Sequence, residues 1–281
     1  MNIKKLDVNG VNITYYESDS TESSIPLILL HGGGLDSAML SYGSIMPTLG
    51  QKFHLIVPDL PGYGDSDKPD VSYTLEWYQE FLNDFINILG YKKIDLCGLS
   101  LGGGIALGYS LNNPEIIKKL VLIAPYGLTD KIPYARLSIW LIKHPNIYDR
   151  IINLTLSNNM ILKANLRRIL VNPEAMTDDL LDQVKLAGNN PHNSRRAWNA
   201  FQLSEIKDLK LRTCYIKELY KLNMPVLLLS GENDSLVPSK DVERANTLIP
   251  HSKLVEFEDC GHWLPRDKSS EFIQALLEFL K

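Results

Sequence analysis

The stretch from Leu96 to Leu107, Leu-Cys-Gly-Leu-Ser-Leu-Gly-Gly-Gly-Ile-Ala-Leu, constrains this chain more than any other. An apolar strand-like run (Ile94 to Cys97) meets a helix-like run (Leu101 to Leu111), and Ser100 stands at the joint between Gly98 and Gly102. A serine oxygen is a poor nucleophile unless a base takes its proton and the backbone holds it out for attack. The Gly-x-Ser-x-Gly pattern meets the second need by setting the serine on a sharp strand-to-helix turn, where flanking side chains would strike the backbone. The same turn aims the first amides of the helix at the place where a carbonyl oxygen would become an oxyanion. A bare pentapeptide could be an ordinary Gly/Ser turn. The strand before it and the helix after it give this one its chemical reading.

Around that joint the chain alternates strand and helix patterns. Leu6 to Val8 and Val11 to Tyr16 read as strands joined by Asn9-Gly10, a strong hairpin signal. Ile25 to Leu30 is a continuous apolar run suited to burial on both faces of a sheet, and it ends in His31-Gly32-Gly33-Gly34. The pattern then predicts a helix over Ser37 to Leu49, a strand at Phe53 to Val57, a turn-rich loop from Pro58 to Ser66, and a helix from Leu75 to Leu89 stopped by Gly90. After the Ser100 joint come a helix reaching Pro114 and a strand at Leu120 to Ala124. This rhythm predicts an α/β fold: a mostly parallel central sheet with helices on both faces.

From Leu128 to Arg212 the strand-like runs stop, and the segment reads as helices punctuated by Pro133, Pro145, Pro173 and Pro191. Strand and helix patterns then resume with Pro225 to Ser230, Lys240 to Leu248, Lys253 to Phe257 and Ser269 to Leu280. The division expected is a core of residues 1–127 and 213–281, with 128–212 as a helical lid inserted after the sixth strand and hanging over the serine.

Composition narrows the function classes. A chain of 281 residues with 44% hydrophobic and 22% charged residues can bury a substantial α/β core. A net charge of −4 offers no basic face for nucleic acid. No apolar run is long enough to span a bilayer, and the start lacks the apolar core of a secretory signal. Three scattered cysteines, Cys97, Cys214 and Cys260, make neither a disulfide framework nor a zinc site, so a cytoplasmic setting is expected. The sequence holds no phosphate-binding loop or paired metal-ligand spacing, so neither metal nor organic cofactor is expected. Oligomeric state is not encoded in any motif.

A nucleophilic serine needs a histidine, and that histidine needs a carboxylate. Of the six histidines, His262 lies in Asp259-Cys260-Gly261-His262-Trp263, just past a strand, where active sites of open α/β sheets collect. His54 opens a strand at the opposite edge, and His144, His192 and His251 sit beside prolines. His31 ends a strand and reads as a support for the glycine loop. For the acid, Asp234 follows the Leu227 to Ser230 strand, with Glu232 and Asp130 as competitors. An aspartate in such a loop also commonly caps a turn.

With the His31–Gly34 loop, the Asp59–Ser66 loop, the Ser100 elbow, the Gly231–Pro238 loop and Gly261-His262-Trp263 in this order, the chain resembles the α/β-hydrolases with an inserted cap. That resemblance implies a Ser100–Asp234–His262 triad and an oxyanion hole from the amides of Leu101 and Gly33, with Gly34 as the alternative to Gly33. It implies hydrolysis of a small-molecule carboxylic ester through an acyl-enzyme on Ser100. A second branch, the meta-cleavage-product hydrolases that break carbon–carbon bonds, shares the triple glycine, the His-Trp pair and lid arginines such as Arg195 and Arg196. It usually carries asparagine before the nucleophile and methionine after it, where this chain has Leu99 and Leu101, and that tilts the expectation toward an esterase. Amide, lactone and thioester hydrolysis remain open, as does a small-molecule sensor with slow turnover. Gly34, Tyr126 and Trp263 are expected at the substrate, with Leu128, Trp140 and Trp198 as further pocket candidates.

Overall fold

A computed structural model describes residues 1–19, 25–132, 135–190, 192 and 194–281. Pro133 and Pro191, expected to punctuate the helical segment, lie outside the described residues. The strands are β1 (Asn2–Val8), β2 (Val11–Glu17), β3 (Leu27–Leu30), β4 (Leu55–Pro58), β5 (Ile94–Leu99), β6 (Ile117–Ile123), β7 (Ile206–Lys207), β8 (Lys210–Leu211), β9 (Val226–Gly231) and β10 (Ser252–Phe257). Eight of them form one sheet in the order β1-β2-β4-β3-β5-β6-β9-β10, while β7 and β8 pair only with each other. The β1–β2 and β2–β4 pairs are antiparallel, and every pair from β4 to β10 is parallel.

Parallel pairing puts the carboxyl ends of β3, β5, β9 and β10 on one rim. Side-chain alternation along the central strands divides the core in two, as the two-residue period of a strand requires. Ile28, Leu30, Leu96, Leu120 and Leu228 face one cluster, and Leu27, Leu29, Cys97, Val121 and Leu229 face the other.

The helices are α1 (Ala38–Tyr42), α2 (Met46–Leu49), α3 (Leu75–Leu89), α4 (Leu101–Asn112), α5 (Ala135–Ile142), α6 (Pro145–Ser157), α7 (Asn159–Leu166), α8 (Asp178–Asn189), α9 (Arg195–Glu205), α10 (Ser239–Leu248), α11 (Leu264–Asp267) and α12 (Ser269–Leu280). Helices α3, α4 and α10 cover the first cluster, and α1, α2 and α12 cover the second. Helix α3 runs as its pattern predicts. Thr74 caps its start by accepting from Trp77 N, and Gly90 ends it at φ 81°.

The single helix expected over Ser37 to Leu49 is instead two, α1 and α2. Pro47, in the first turn of α2, has no N–H to donate back to Gly43, which disfavours a helix running through it and suits a helix start. The four-residue helix α11 was not anticipated, and its Pro265 fits a helix start.

Helices α5 to α9 all fall between β6 and β9. The two ends of this segment meet: Leu211 N donates to Asp130 O at 2.8 Å, and Lys131 bridges Lys210. Among the described residues no helix is long and apolar enough to cross a membrane.

Candidate active site

Strand β5 lies between β3 and β6, and all six of its residues are buried. It delivers the chain to Ser100 at φ 51° and ψ −111°, a left-handed conformation uncommon for a residue with a side chain. Helix α4 begins at the next residue, Leu101. A Cβ on Gly98 would come within 2.2 Å of Gly102 O, and one on Gly102 within 2.4 Å of Leu30 O. Both glycines are therefore steric requirements of the turn.

The base and acid candidates arrive from β10 and β9. His262 Nδ1 lies 2.7 Å from Asp234 Oδ2, with both residues buried. The other carboxylate oxygen of Asp234 accepts from Leu236 N (2.7 Å) and Val237 N (2.9 Å). Backbone donors thus hold the carboxylate while it orients the ring, leaving Nε2 as the nitrogen that can take a proton. The competing acids lie elsewhere. Glu232 is exposed and accepts from Asp259 N, and Asp130 pairs with Lys210 at the surface.

His31 has the supporting place its position suggests. Its Nε2 accepts from Leu60 N at 3.0 Å, so the proton sits on Nδ1, 2.8 Å from Gly32 O. The glycine loop is also held by Asp36, which the sequence reading missed. The Asp36 carboxylate accepts from Gly32 N (2.8 Å), Ser37 N (2.7 Å) and Ser41 Oγ (2.7 Å). Burial pushes this carboxyl above the usual range, against the His31 ring and these donors, which favour the charged form. Ser41 Oγ in turn accepts from Trp263 Nε1 at 2.9 Å. A chain of three hydrogen bonds therefore ties the residue after His262 to the residue before Gly33.

Asp267 is a second unanticipated clamp. Its carboxylate accepts from Gly261 N (2.6 Å), Val171 N (3.0 Å) and Asn172 N (2.8 Å), fastening the His262 loop to the segment after α7. An aspartate shortly beyond a glycine turn was the available signal for both clamps, Asp36 two residues after Gly34 and Asp267 six after Gly261.

Ser100 and His262 line one cavity of about 340 Å³, together with Gly33, Gly34 and Trp263 from the rim. Helices α6 to α9 close it with Tyr148, Ile152, Leu156, Leu162, Val184 and Trp198. Among the described residues no lysine or arginine lines it, and Asp36 is its one carboxylate. Trp198 packs so closely that a Cβ on Gly33 would lie 2.3 Å from its ring.

Of the expected pocket residues, Gly34, Trp198 and Trp263 line this cavity and three others do not. Tyr126 packs edge-on to Phe201 with its hydroxyl 3.2 Å from Glu205 Oε2, because a buried phenol needs a partner. Leu128 is in the core, and Trp140 is 46% exposed on α5. The arginines expected on a lid are also turned elsewhere. Arg195 donates to Gly188 O and Asn153 Oδ1, and Arg196 pairs with Asp70 at the surface. Among the described residues no group of three or more His, Cys, Asp or Glu is placed to hold a metal ion.

Comparison with known proteins gives a consistent picture. The family described as alpha/beta hydrolase fold matches residues 25–268. The 2-hydroxy-6-oxo-6-(2'-aminophenyl)hexa-2,4-dienoic acid hydrolase of Metapseudomonas resinovorans is 27% identical over 279 residues, covering 98% of this chain and 89% of that one. Among solved structures, a serine hydrolase involved in carbazole degradation superposes with a TM-score of 0.79 at 25% identity, over 99% of this chain and 98% of that one. A membrane phospholipase A described as a bacterial virulence factor also reaches a TM-score of 0.79 at 25% identity, over 99% of this chain and 85% of its own.

Proposed function

We propose, for a chain that belongs to the alpha/beta hydrolase fold family, the hydrolysis of carboxylic esters with an apolar acyl group through an acyl-enzyme on Ser100. The observation that carries this reading is a serine on a strained elbow sharing a largely apolar cavity with a histidine held by a buried carboxylate. In the scheme, His262 Nε2 takes the Ser100 proton as Oγ attacks the ester carbonyl. The amides of Leu101 and Gly33 receive the developing oxyanion; one such donor contributes roughly 3 kcal/mol to the transition state. The alcohol leaves with the proton from His262. Water, deprotonated by the same nitrogen, then attacks the acyl carbon and releases the acid and Ser100. Asp234 keeps the ring in the tautomer this requires and stabilises its cation. Residues 128–212 act as the lid that excludes water from the cavity.

A second reading is carbon–carbon bond hydrolysis of a dienoic acid, favoured by the name of the Metapseudomonas relative. Such a substrate carries a carboxylate, and a buried carboxylate needs a cationic or multiply donating partner. The absence of lysine and arginine from the described lining favours the ester. Purified protein offered p-nitrophenyl butyrate and, separately, the Metapseudomonas relative's dienoic acid distinguishes the two. Fast turnover of the ester, at least a thousandfold slower in Ser100→Ala, is the expected result. Dienoate turnover with an inert ester would replace this reading with the second.

A further inference from the structure

The outer surface of the helical segment presents features that the hydrolytic site does not use. Helices α5, α6 and α7 pack side by side in chain order. On α6, Tyr148, Ile152 and Leu156 face the Ser100 cavity. Ile147, Ile151 and Leu154, spaced i, i+4 and i+7, form a separate stripe that is 37%, 47% and 62% exposed. Helix α5 exposes Leu137 and Trp140, and α7 exposes Met160 at 81%. The spacing makes Ile147, Ile151 and Leu154 contiguous along α6, and a contiguous exposed apolar stripe marks a contact surface rather than scattered surface residues.

Charge indicates what the surface contacts. Residues 135–168 hold Arg136, Lys143, Arg150, Lys163, Arg167 and Arg168 with Asp149 as their one acidic residue, a net of +5 in a chain whose total is −4; Lys163 lies 3.5 Å from Asp178 of α8, and Arg167 and Arg168 directly follow α7. A second copy docked face to face would set this charge against itself. An anionic lipid surface instead accepts both features: apolar side chains enter the acyl boundary while basic ones meet the headgroups. Trp140, stacked on His144 at 4.5 Å, is the residue type that settles at such an interface.

We propose that α5, α6 and α7 dock this chain on an anionic phospholipid surface through the exposed stripe of α6, whose other face lines the Ser100 cavity. Docking requires no catalysis, so Ser100→Ala binds as the native protein does, whatever the fate of the hydrolytic reading. The test is flotation with vesicles of phosphatidylcholine alone and of phosphatidylcholine mixed with phosphatidylglycerol. Native protein floats with the anionic vesicles, binding weakens as salt rises, and Trp140 emission shifts to the blue, a change absent in Trp140→Phe. The triple variant R136Q/K143Q/R150Q lowers the partition coefficient by about 100-fold, since each basic side chain near such a surface contributes about fivefold. Ile151→Asn, also at an exposed position, weakens binding while the circular dichroism stays native. The proposal is overturned if native protein ignores anionic vesicles, binds neutral ones equally, or keeps its affinity in the triple variant. Concentration-dependent dimers that Ile151→Asn dissolves, without vesicle binding, would assign the surface to a second copy instead.

Discussion

Ser100 is held in its left-handed conformation by its neighbours. Its N–H donates to Ile123 O, and its carbonyl accepts from Gly104 N and Tyr126 N. Such a backbone costs on the order of 1–3 kcal/mol and persists where the surroundings over-determine it. A second residue under stress lies at the other end of the same strand. Asp95 is 5% exposed with one carboxylate oxygen unpartnered among the described residues, and burial raises its pKa from 3.8 to about 6, opposed by Lys118 and Lys119. Between these two values the folded chain binds more protons than the unfolded one, so stability falls as pH rises through that window. Above it the full penalty applies, about 3 kcal/mol for a shift of this size. Asp95→Asn, which carries no charge to bury, is expected to raise the urea midpoint at neutral pH and flatten the acid-side slope. Identical pH profiles for the two proteins would show that Asp95 carries no such penalty.

At the scale of elements, the site depends on loops from opposite halves of the chain being fastened together. Trp263, Ser41, Asp36 and Gly32 do this between the β10 and β3 loops, across the helix α1 that supplies Ser41. Ser41→Ala leaves the indole N–H buried without an acceptor, at a cost of about 1–3 kcal/mol. A double-mutant cycle checks it. Adding Trp263→Phe removes the orphaned donor, so the pair should cost less than the sum of the single variants in denaturant unfolding. Strict additivity would mean the hydrogen bond contributes nothing. This fastening was not legible in the sequence because Ser41 sat inside a stretch that reads as one helix. The helix breaks between Tyr42 and Met46, inside that stretch.

For the molecule as a whole, the proposed acyl site exists only because the segment between β6 and β9 folds back over the rim. Leu162 is 3% exposed and closes part of the cavity from α7. Leu162→Phe should therefore shorten the acyl chain the site accepts. Each methylene excluded costs about 0.8 kcal/mol, or roughly fourfold in kcat/KM. A panel of p-nitrophenyl esters from acetate to decanoate measures this, and an unchanged chain-length optimum would place the acyl group elsewhere.

The sequence by itself determined the alternation of strands and helices, the elbow at Ser100, and the rim loops that carry Asp234 and His262. These are local properties, set by side-chain period, glycine sterics and the punctuation between elements. Only the tertiary structure decided that Asp234, rather than Glu232 or Asp130, meets the ring of His262. It also decided that Trp198 and Trp263 line the cavity while Tyr126, Leu128 and Trp140 do not. Which way a side chain faces depends on what packs against it from distant parts of the chain. Spacing along the backbone places a residue on the rim but does not turn it toward a partner.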